Sequence, residues 1–350
     1  MNIELSFHHL RLPRNRFEIS SGLKDNVDVF LLEARRGSFV GIGSGSPATS
    51  VGDSPKKCAN ALSYIQNLTL DPDAYFDGDI PDEMKERSPA ASATLDIAMW
   101  DLRAKMDGVS LTELLGGHMR VLPTDATIDL KKPDDARKEA ARFIKEGFKS
   151  IKVKVGKSIR EDLERVRAVR ETTGSGVQLI IDANGGYDSE KALTLWEDAS
   201  EFDLEFFEQP VPQDMVKELA MLRGRGVRVC ADESFVDEGS LMALIDLDAT
   251  DMINIKLMKL GGLTQAMRLE RIAREAGIGT MIGCMGDIGI SIGAAAHLAC
   301  KVAPSHVDLD SHLNIAPICD GPLVKSGNIQ LKDEPGIGVY LIEGWQNWRV

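Results

Sequence analysis

The sequence offers no segment for crossing or gripping a membrane. Its apolar residues never run long enough to span a bilayer, and the opening MNIELSFHHLRLPRN lacks the apolar centre of a signal peptide. A cytoplasmic location is the expectation. Positive charge is in short supply, with 41 lysines and arginines against 54 acids and a net charge of −13. Nucleic acid and anionic lipid surfaces call for basic patches, so neither is expected as a partner. Cysteine is sparse too: Cys58, Cys230, Cys284, Cys300 and Cys319 stand apart, with no CxxC pair. That argues against a disulfide frame or thiolate zinc site and suits small core residues in a reducing compartment. What remains is an ordinary soluble composition, 43% hydrophobic and 27% charged, over 350 residues. That length serves one large domain or two of common size.

The pattern divides near residue 120. Before it, VDVFLLEARRGSFVGIGSGSP alternates and carries turn glycines, as paired strands do. A helical segment follows, with Ala91, Leu95, Ile97, Ala98, Leu102 and Ala104 at helix spacing and Ser88-Pro89 as its start. Residues 1–120 therefore read as an α+β unit. From 121 to 325, short apolar runs recur about every 25 residues: DATIDL, SIKVKV, VQLIIDA, LEFFEQP, VRVCADES, DMINIKL, IGTMIGC and HVDLD. Helix-like stretches separate most of them, the rhythm of a βα barrel. Residues 326–350 carry strand and turn signals without a crossover helix and are expected to return to the N-terminal unit.

Chemistry in such barrels gathers at the C-terminal ends of the strands. Lys152 and Lys154 in SIKVKVG lie two apart on one strand face, where adjacent ammonium groups favour loss of a proton. Taken alone, the pair also suits the solvated face of an edge strand. Asp182, Glu208, Asp232 and Lys256 then follow at intervals of 26, 24 and 24 residues, one βα unit each. Three carboxylates meeting in a pocket need a cation, and oxygen ligands without His or Cys favour Mg²⁺ over Zn²⁺.

In combination, KVKVG, DANGGY, EQP, ADES and NIKLMKLGG, with the helix TLDIAMWDLRAK before them, resemble the muconate-lactonizing subgroup of the enolase superfamily. The resemblance spans most of the chain. It implies a modified (β/α)7β TIM barrel under an N-terminal α+β capping domain completed by the C-terminal segment. It also implies one Mg²⁺ held by Asp182, Glu208 and Asp232, with Asn184 and Glu233 behind them. Enolase-superfamily sites are a standing example of a Lys or His base paired with Mg²⁺ that stabilises an enediolate. Lys154 would then be the base on one face of the reacting carbon and Lys256 on the other. Lys152 would depress the Lys154 pKa and help hold the substrate carboxylate, with Thr127 also at the substrate.

Two lysines serve racemisation, water elimination and lactone opening alike. HVDLDSHL narrows the choice, because Asp308 and Asp310 share a face and suit a cationic group. In the resembling family such a DxD pair marks dipeptide epimerases, of the L-Ala-D/L-Glu kind, and binds the free α-ammonium. The expected activity is thus an isomerase that inverts the C-terminal α-carbon of a dipeptide by 1,1-proton transfer. N-succinylamino acid racemase, o-succinylbenzoate synthase and muconate-type cycloisomerase are the alternatives on the same scaffold. A binding protein without turnover is a further class, which the intact lysines and acids oppose. A homo-oligomer is compatible with the sequence. Two stretches depart from the family: NRFEISSG puts Gly22 where a glutamate-binding arginine falls, after Arg14 and Arg16, and GCMGDIGIS puts Asp287 at an acidic position.

Overall fold

The structure, a computed structural model, describes residues 3–19, 22–66 and 82–350. Strands β1 (Glu4–Ile19), β2 (Gly22–Arg36) and β3 (Phe39–Gly45) form an antiparallel sheet in that order. Gly37, at φ 61, makes the turn between β2 and β3. The glycines inside β3 are not turn residues. Gly41, Gly43 and Gly45 alternate onto one face of β3, which lies against the Pro89–Asp107 helix. A Cβ at these positions would lie 2.1, 2.0 and 2.1 Å from Ala98 O, Thr94 O and Thr94 Oγ1. Sheet and helix approach so closely only because both surfaces are small. Ser88 caps that helix by accepting the Ala91 N–H at 3.1 Å, Pro89 opens it, and Gly108 closes it in the left-handed conformation.

Strand β4 (Leu122–Pro123) leads into eight parallel strands: β5 (Ala126–Ile128), β6 (Ser150–Lys154), β7 (Gln178–Asp182), β8 (Leu204–Glu208), β9 (Val229–Ala231), β10 (Met252–Ile255), β11 (Gly279–Gly283) and β12 (His306–Asp308). They lie side by side in sequence order, each of the first seven followed by a helix. The last is followed only by the short turn Ser311–Asn314, giving the (β/α)7β barrel. Its seam joins β5 to β12. Asp125 N–H donates to Val307 O at 3.1 Å, Leu309 N–H to Thr124 Oγ1 at 2.9 Å, and Thr127 N–H to Asp310 Oδ2 at 2.8 Å. Inside, Ile180, Phe206, Cys230 and Met281 make an apolar plug beneath the strand ends.

Hairpin β13 (Leu323–Lys325) and β14 (Asn328–Gln330) pairs with β4, so position 325/326 falls in its turn. Beyond it, Ile337 N–H reaches Asp101 Oδ1 at 2.8 Å and Val350 N–H reaches His9 O at 3.0 Å, both in the N-terminal unit. The same unit grips the barrel through Asp96, which accepts Leu263 N–H at 2.5 Å and Thr264 N–H at 3.2 Å. That carboxylate caps the Leu263–Glu275 helix from outside its own chain segment. Among the described residues no helix is long and apolar enough to cross a membrane.

Candidate active site

Lys152 and Lys154 do share a face of β6, and it is the barrel interior, where they are 3% and 6% exposed. The edge-strand alternative is thereby excluded. Each ammonium meets a carboxylate. Lys152 Nζ bonds Asp308 Oδ2 and lies 3.4 Å from Glu208 Oε2. Lys154 Nζ bonds Asp182 Oδ2 and, at 3.0 Å, Asn184 Oδ1. From across the barrel, Lys256 Nζ bonds Asp232 Oδ2 at 2.6 Å and stands 3.9 Å from Glu208 Oε1. β6 and β10 are four places apart in a ring of eight, so Lys154 and Lys256 come from opposite sides. Both line one cavity of about 60 Å³, as do Thr127, Asp308 and Asp310. It shares Thr127, Asp310 and Asn314 with a polar cavity of about 340 Å³ that Asn15, Asp129, Glu139 and Arg142 also line.

Asp182, Glu208 and Asp232 lie on or just past neighbouring strands β7, β8 and β9, all fully or almost fully buried. Behind them, Asn184 donates to Glu233 Oε1 at 3.1 Å, and its N–H reaches Asp182 Oδ1 at 2.8 Å. Burial and the Asp182 charge push Glu208 up to about 7, and burial with Asp232 and Asp182 pushes Glu233 up to about 8. Burial also acts to raise Asp232, but Lys256 and Lys259 outweigh it and hold that carboxyl far below the usual range. Burial opposes charge on Lys152 and Lys256 as well. Asp308 and Glu208 overcome it at Lys152, Asp232 and Glu208 at Lys256, and both ammoniums end well above the ordinary lysine value.

A divalent cation fits this chemistry. Asp182, Glu208, Asp232, Glu233, Asp308 and Asp310 outnumber Lys152, Lys154, Lys256 and Lys259, and Glu233 Oε2 is buried without a partner. The donors are oxygens, as Mg²⁺ requires. The tightest trio among the described residues is a different one: Cys284, Asp308 and Asp310 bring ligand atoms within 4.8 Å of one another. Burial, Asp308 and Asp310 hold the Cys284 thiol well above its usual pKa, so it remains a thiol and a poor ligand. The Asp182, Glu208 and Asp232 oxygens form no such tight trio, each turning to a lysine or, for Glu208, to Asn254 Nδ2 at 2.7 Å.

Comparison with known proteins gives the family. Residues 5–116 match the mandelate racemase / muconate lactonizing enzyme N-terminal domain, and residues 135–345 match the enolase C-terminal domain-like family. The chain belongs to the mandelate racemase / muconate lactonizing enzyme family. A hydrophobic dipeptide epimerase of Enterococcus faecalis is 30% identical over 339 residues, covering 93% of this chain and 95% of its own. The dipeptide epimerase of Cytophaga hutchinsonii, complexed with Mg and D-Ala-L-Val, superposes with a TM-score of 0.93 at 27% identity. That match covers 100% of this chain and 99% of the other. An N-succinyl Arg/Lys racemase of Bacillus cereus superposes with a TM-score of 0.92 at 26% identity, covering 100% and 98%. This family member is an isomerase of the racemase and epimerase kind.

Two groups at the strand ends, Lys259 and Gln209, are not singled out in the sequence. Lys259, 1% exposed, bonds Asp232 Oδ1 at 2.6 Å and Asp232 O at 2.5 Å. It stands three residues past Lys256 in NIKLMKLGG, one helical turn on, and that spacing was its only signal. Gln209, from EQP, accepts the N–H groups of Asp232 and Ser234 at 3.0 Å each and so shapes the next strand end. Asp310 reaches the pocket by a turn beyond β12, not by the strand alternation expected of the DxD pair. Arg14 lines the cavity from β1, beside Asp310 and Cys284. The Arg16 side chain lies outside the described residues. Asp287 takes Met285 N–H at 3.0 Å and accepts the Ser311 hydroxyl at its carbonyl, 2.8 Å, tying two mouth loops together.

Proposed function

We propose that the protein is a Mg²⁺-dependent dipeptide epimerase that inverts the α-carbon of the C-terminal residue. The observation that supports it most is the placement of Lys154 and Lys256 on opposite sides of one cavity, with Asp308 and Asp310 at its edge. Asp182, Glu208 and Asp232 would hold the metal, backed by Asn184 and Glu233. When bound there, Mg²⁺ supplies positive charge to the substrate carboxylate as the adjacent carbon becomes anionic. Asp308 and Asp310 take the free ammonium, and Thr127 borders the backbone between. That orientation sets the α-hydrogen toward one lysine and the bare face of the carbon toward the other. Each lysine would first have to leave the carboxylate that pairs with it, Asp182 for Lys154 and Asp232 for Lys256. The one that then stands as a free amine removes the proton; the opposite ammonium returns one, and the centre inverts. Lys152, fixed by Asp308 and Glu208, adds positive charge near the substrate carboxylate. Relatives act on hydrophobic dipeptides and bind D-Ala-L-Val. Arg14 overlooks the pocket where the family's glutamate-binding arginine is absent.

Dipeptide mixtures incubated with the enzyme and Mg²⁺ in D₂O should gain one α-deuterium in the C-terminal residue. Chelation should stop it. Lys154→Ala should abolish exchange from one epimer and Lys256→Ala from the other, each by at least about a thousandfold. The B. cereus racemase supports a second reading, N-succinylamino acid racemisation, so N-succinyl amino acids belong in the same screen. Exchange into those substrates alone would replace the dipeptide reading, and no exchange anywhere would end both.

A further inference from the structure

One buried acid has no part in the steps above. Asp125 precedes β5 and is 2% exposed. Its N–H donates to Val307 O across the seam, which sets its side chain beside that of Asp308. The two side chains are close enough for each to act on the other's charge. Yet both Asp125 oxygens and Asp308 Oδ1 are buried without any N–H or hydroxyl donor. Two ionised carboxylates do not share such a place, so one proton lies between them. Asp308 Oδ2 already receives the Lys152 ammonium, which makes Asp308 the anion and Asp125 the acid.

The surrounding charges agree. Lys152 faces the pair from β6, and Asp310 from the turn after β12. Burial and the Asp308 charge drive Asp125 well above the carboxylate range. Burial also acts to raise Asp308, but Lys152 and Asp125 bring it below. A competing arrangement comes from below. A cavity of about 270 Å³ at the foot of the barrel is lined by Asp125, Ser150, Lys149 and His306, and an ionised Asp125 could turn to water there.

We propose that Asp125 is a positioning residue: it remains a neutral acid and donates to Asp308 Oδ1, fixing that carboxylate to receive the substrate ammonium. Lys152 holds the other oxygen, so Asp308 is oriented from two sides and keeps lone pairs for the dipeptide. This rests on the dipeptide reading.

The test uses full-length, Mg²⁺-loaded wild type, Asp125→Asn and Asp125→Ala. The infrared difference spectrum at neutral pH, wild type minus Asp125→Asn, should show a protonated-carboxyl carbonyl band, the contribution of Glu233 and Glu208 cancelling between the two. No such band in the difference overturns the proposal. Asn supplies an N–H₂ donor in place of the acid, so its KM for a dipeptide should stay within about threefold of wild type. Ala leaves Asp308 Oδ1 unmet, and KM should rise about tenfold with a smaller change in kcat. If Asn and Ala are equally impaired, or equally harmless, the positioning role is wrong. Should the wild type turn over no dipeptide at all, the reading above fails, while the infrared band still decides where the proton sits. Should Ala not fold, the Asn variant and the band decide alone.

Discussion

Just past Lys154, the backbone N–H groups of Gly156, Lys157 and Ser158 converge on Asp162 Oδ2 at 3.0, 3.1 and 3.1 Å. The Tyr187 hydroxyl donates to the same oxygen, and Arg165 bonds the other. Arg165 in turn donates to Lys154 O at 3.0 Å, so one buried carboxylate fixes the lysine's exit from β6. Gly156 takes part: at φ +113 only glycine is unstrained, and a Cβ would meet Ala183 O at 2.7 Å. Asp162→Ala strands the Arg165 charge and three N–H groups together. It should cost about 3–5 kcal/mol in a denaturant titration and lower kcat by misplacing Lys154. A variant that unfolds at the wild-type midpoint would show that the loop stands without this anchor.

At the scale of elements, the contact between β3 and the Pro89–Asp107 helix depends on a missing set of side chains. Gly41, Gly43 and Gly45 meet Ala90, Thr94 and Ala98, spaced four apart on the helix. Any added carbon pushes against helix backbone, which cannot rotate away. Gly43→Val should therefore destabilise by at least about 3 kcal/mol and lower the thermal midpoint by several degrees. Gly176→Ala, where an added Cβ meets nothing within 4 Å, should leave that midpoint within about a degree. Equal effects from the two would remove packing as the reason for the glycines. Period-two alternation placed this strand in the sequence, but it does not distinguish a glycine that turns from one that lets a helix in. That distinction depends on a segment some fifty residues later.

Across the whole molecule, what could be read beforehand was what repeats. Asp182, Glu208, Asp232 and Lys256 recur once per βα unit, so their convergence follows from the barrel's own period. Asp125 beside Asp308, or Asp96 capping the Leu263–Glu275 helix, joins residues with no shared period, and only the folded seam or domain contact brings them together. His297 is another such link. On the Gly289–Val302 barrel helix, it accepts the Thr112 N–H at Nδ1, 3.1 Å, and therefore donates from Nε2 to Ile337 O, 3.1 Å. One neutral imidazole thus ties the capping domain, the barrel and the C-terminal segment. Burial lowers its pKa from 6.5 to about 4, because an imidazolium would lose the Thr112 bond and sit without solvent. A depressed folded-state value means that the unfolded chain takes the proton first. The stability due to His297 is complete above pH 6.5, declines as pH falls, and levels off below about 4. The loss should amount to about 1.4 kcal/mol per pH unit inside that window, on the order of 3 kcal/mol in all. Many carboxyls titrate in the same range, so the quantity to follow is the difference in unfolding free energy between wild type and His297→Gln. Gln keeps an acceptor for Thr112 and a donor for Ile337 without titrating. A difference that stays flat from pH 7 to 4 would mean the imidazole is not held neutral between the three parts.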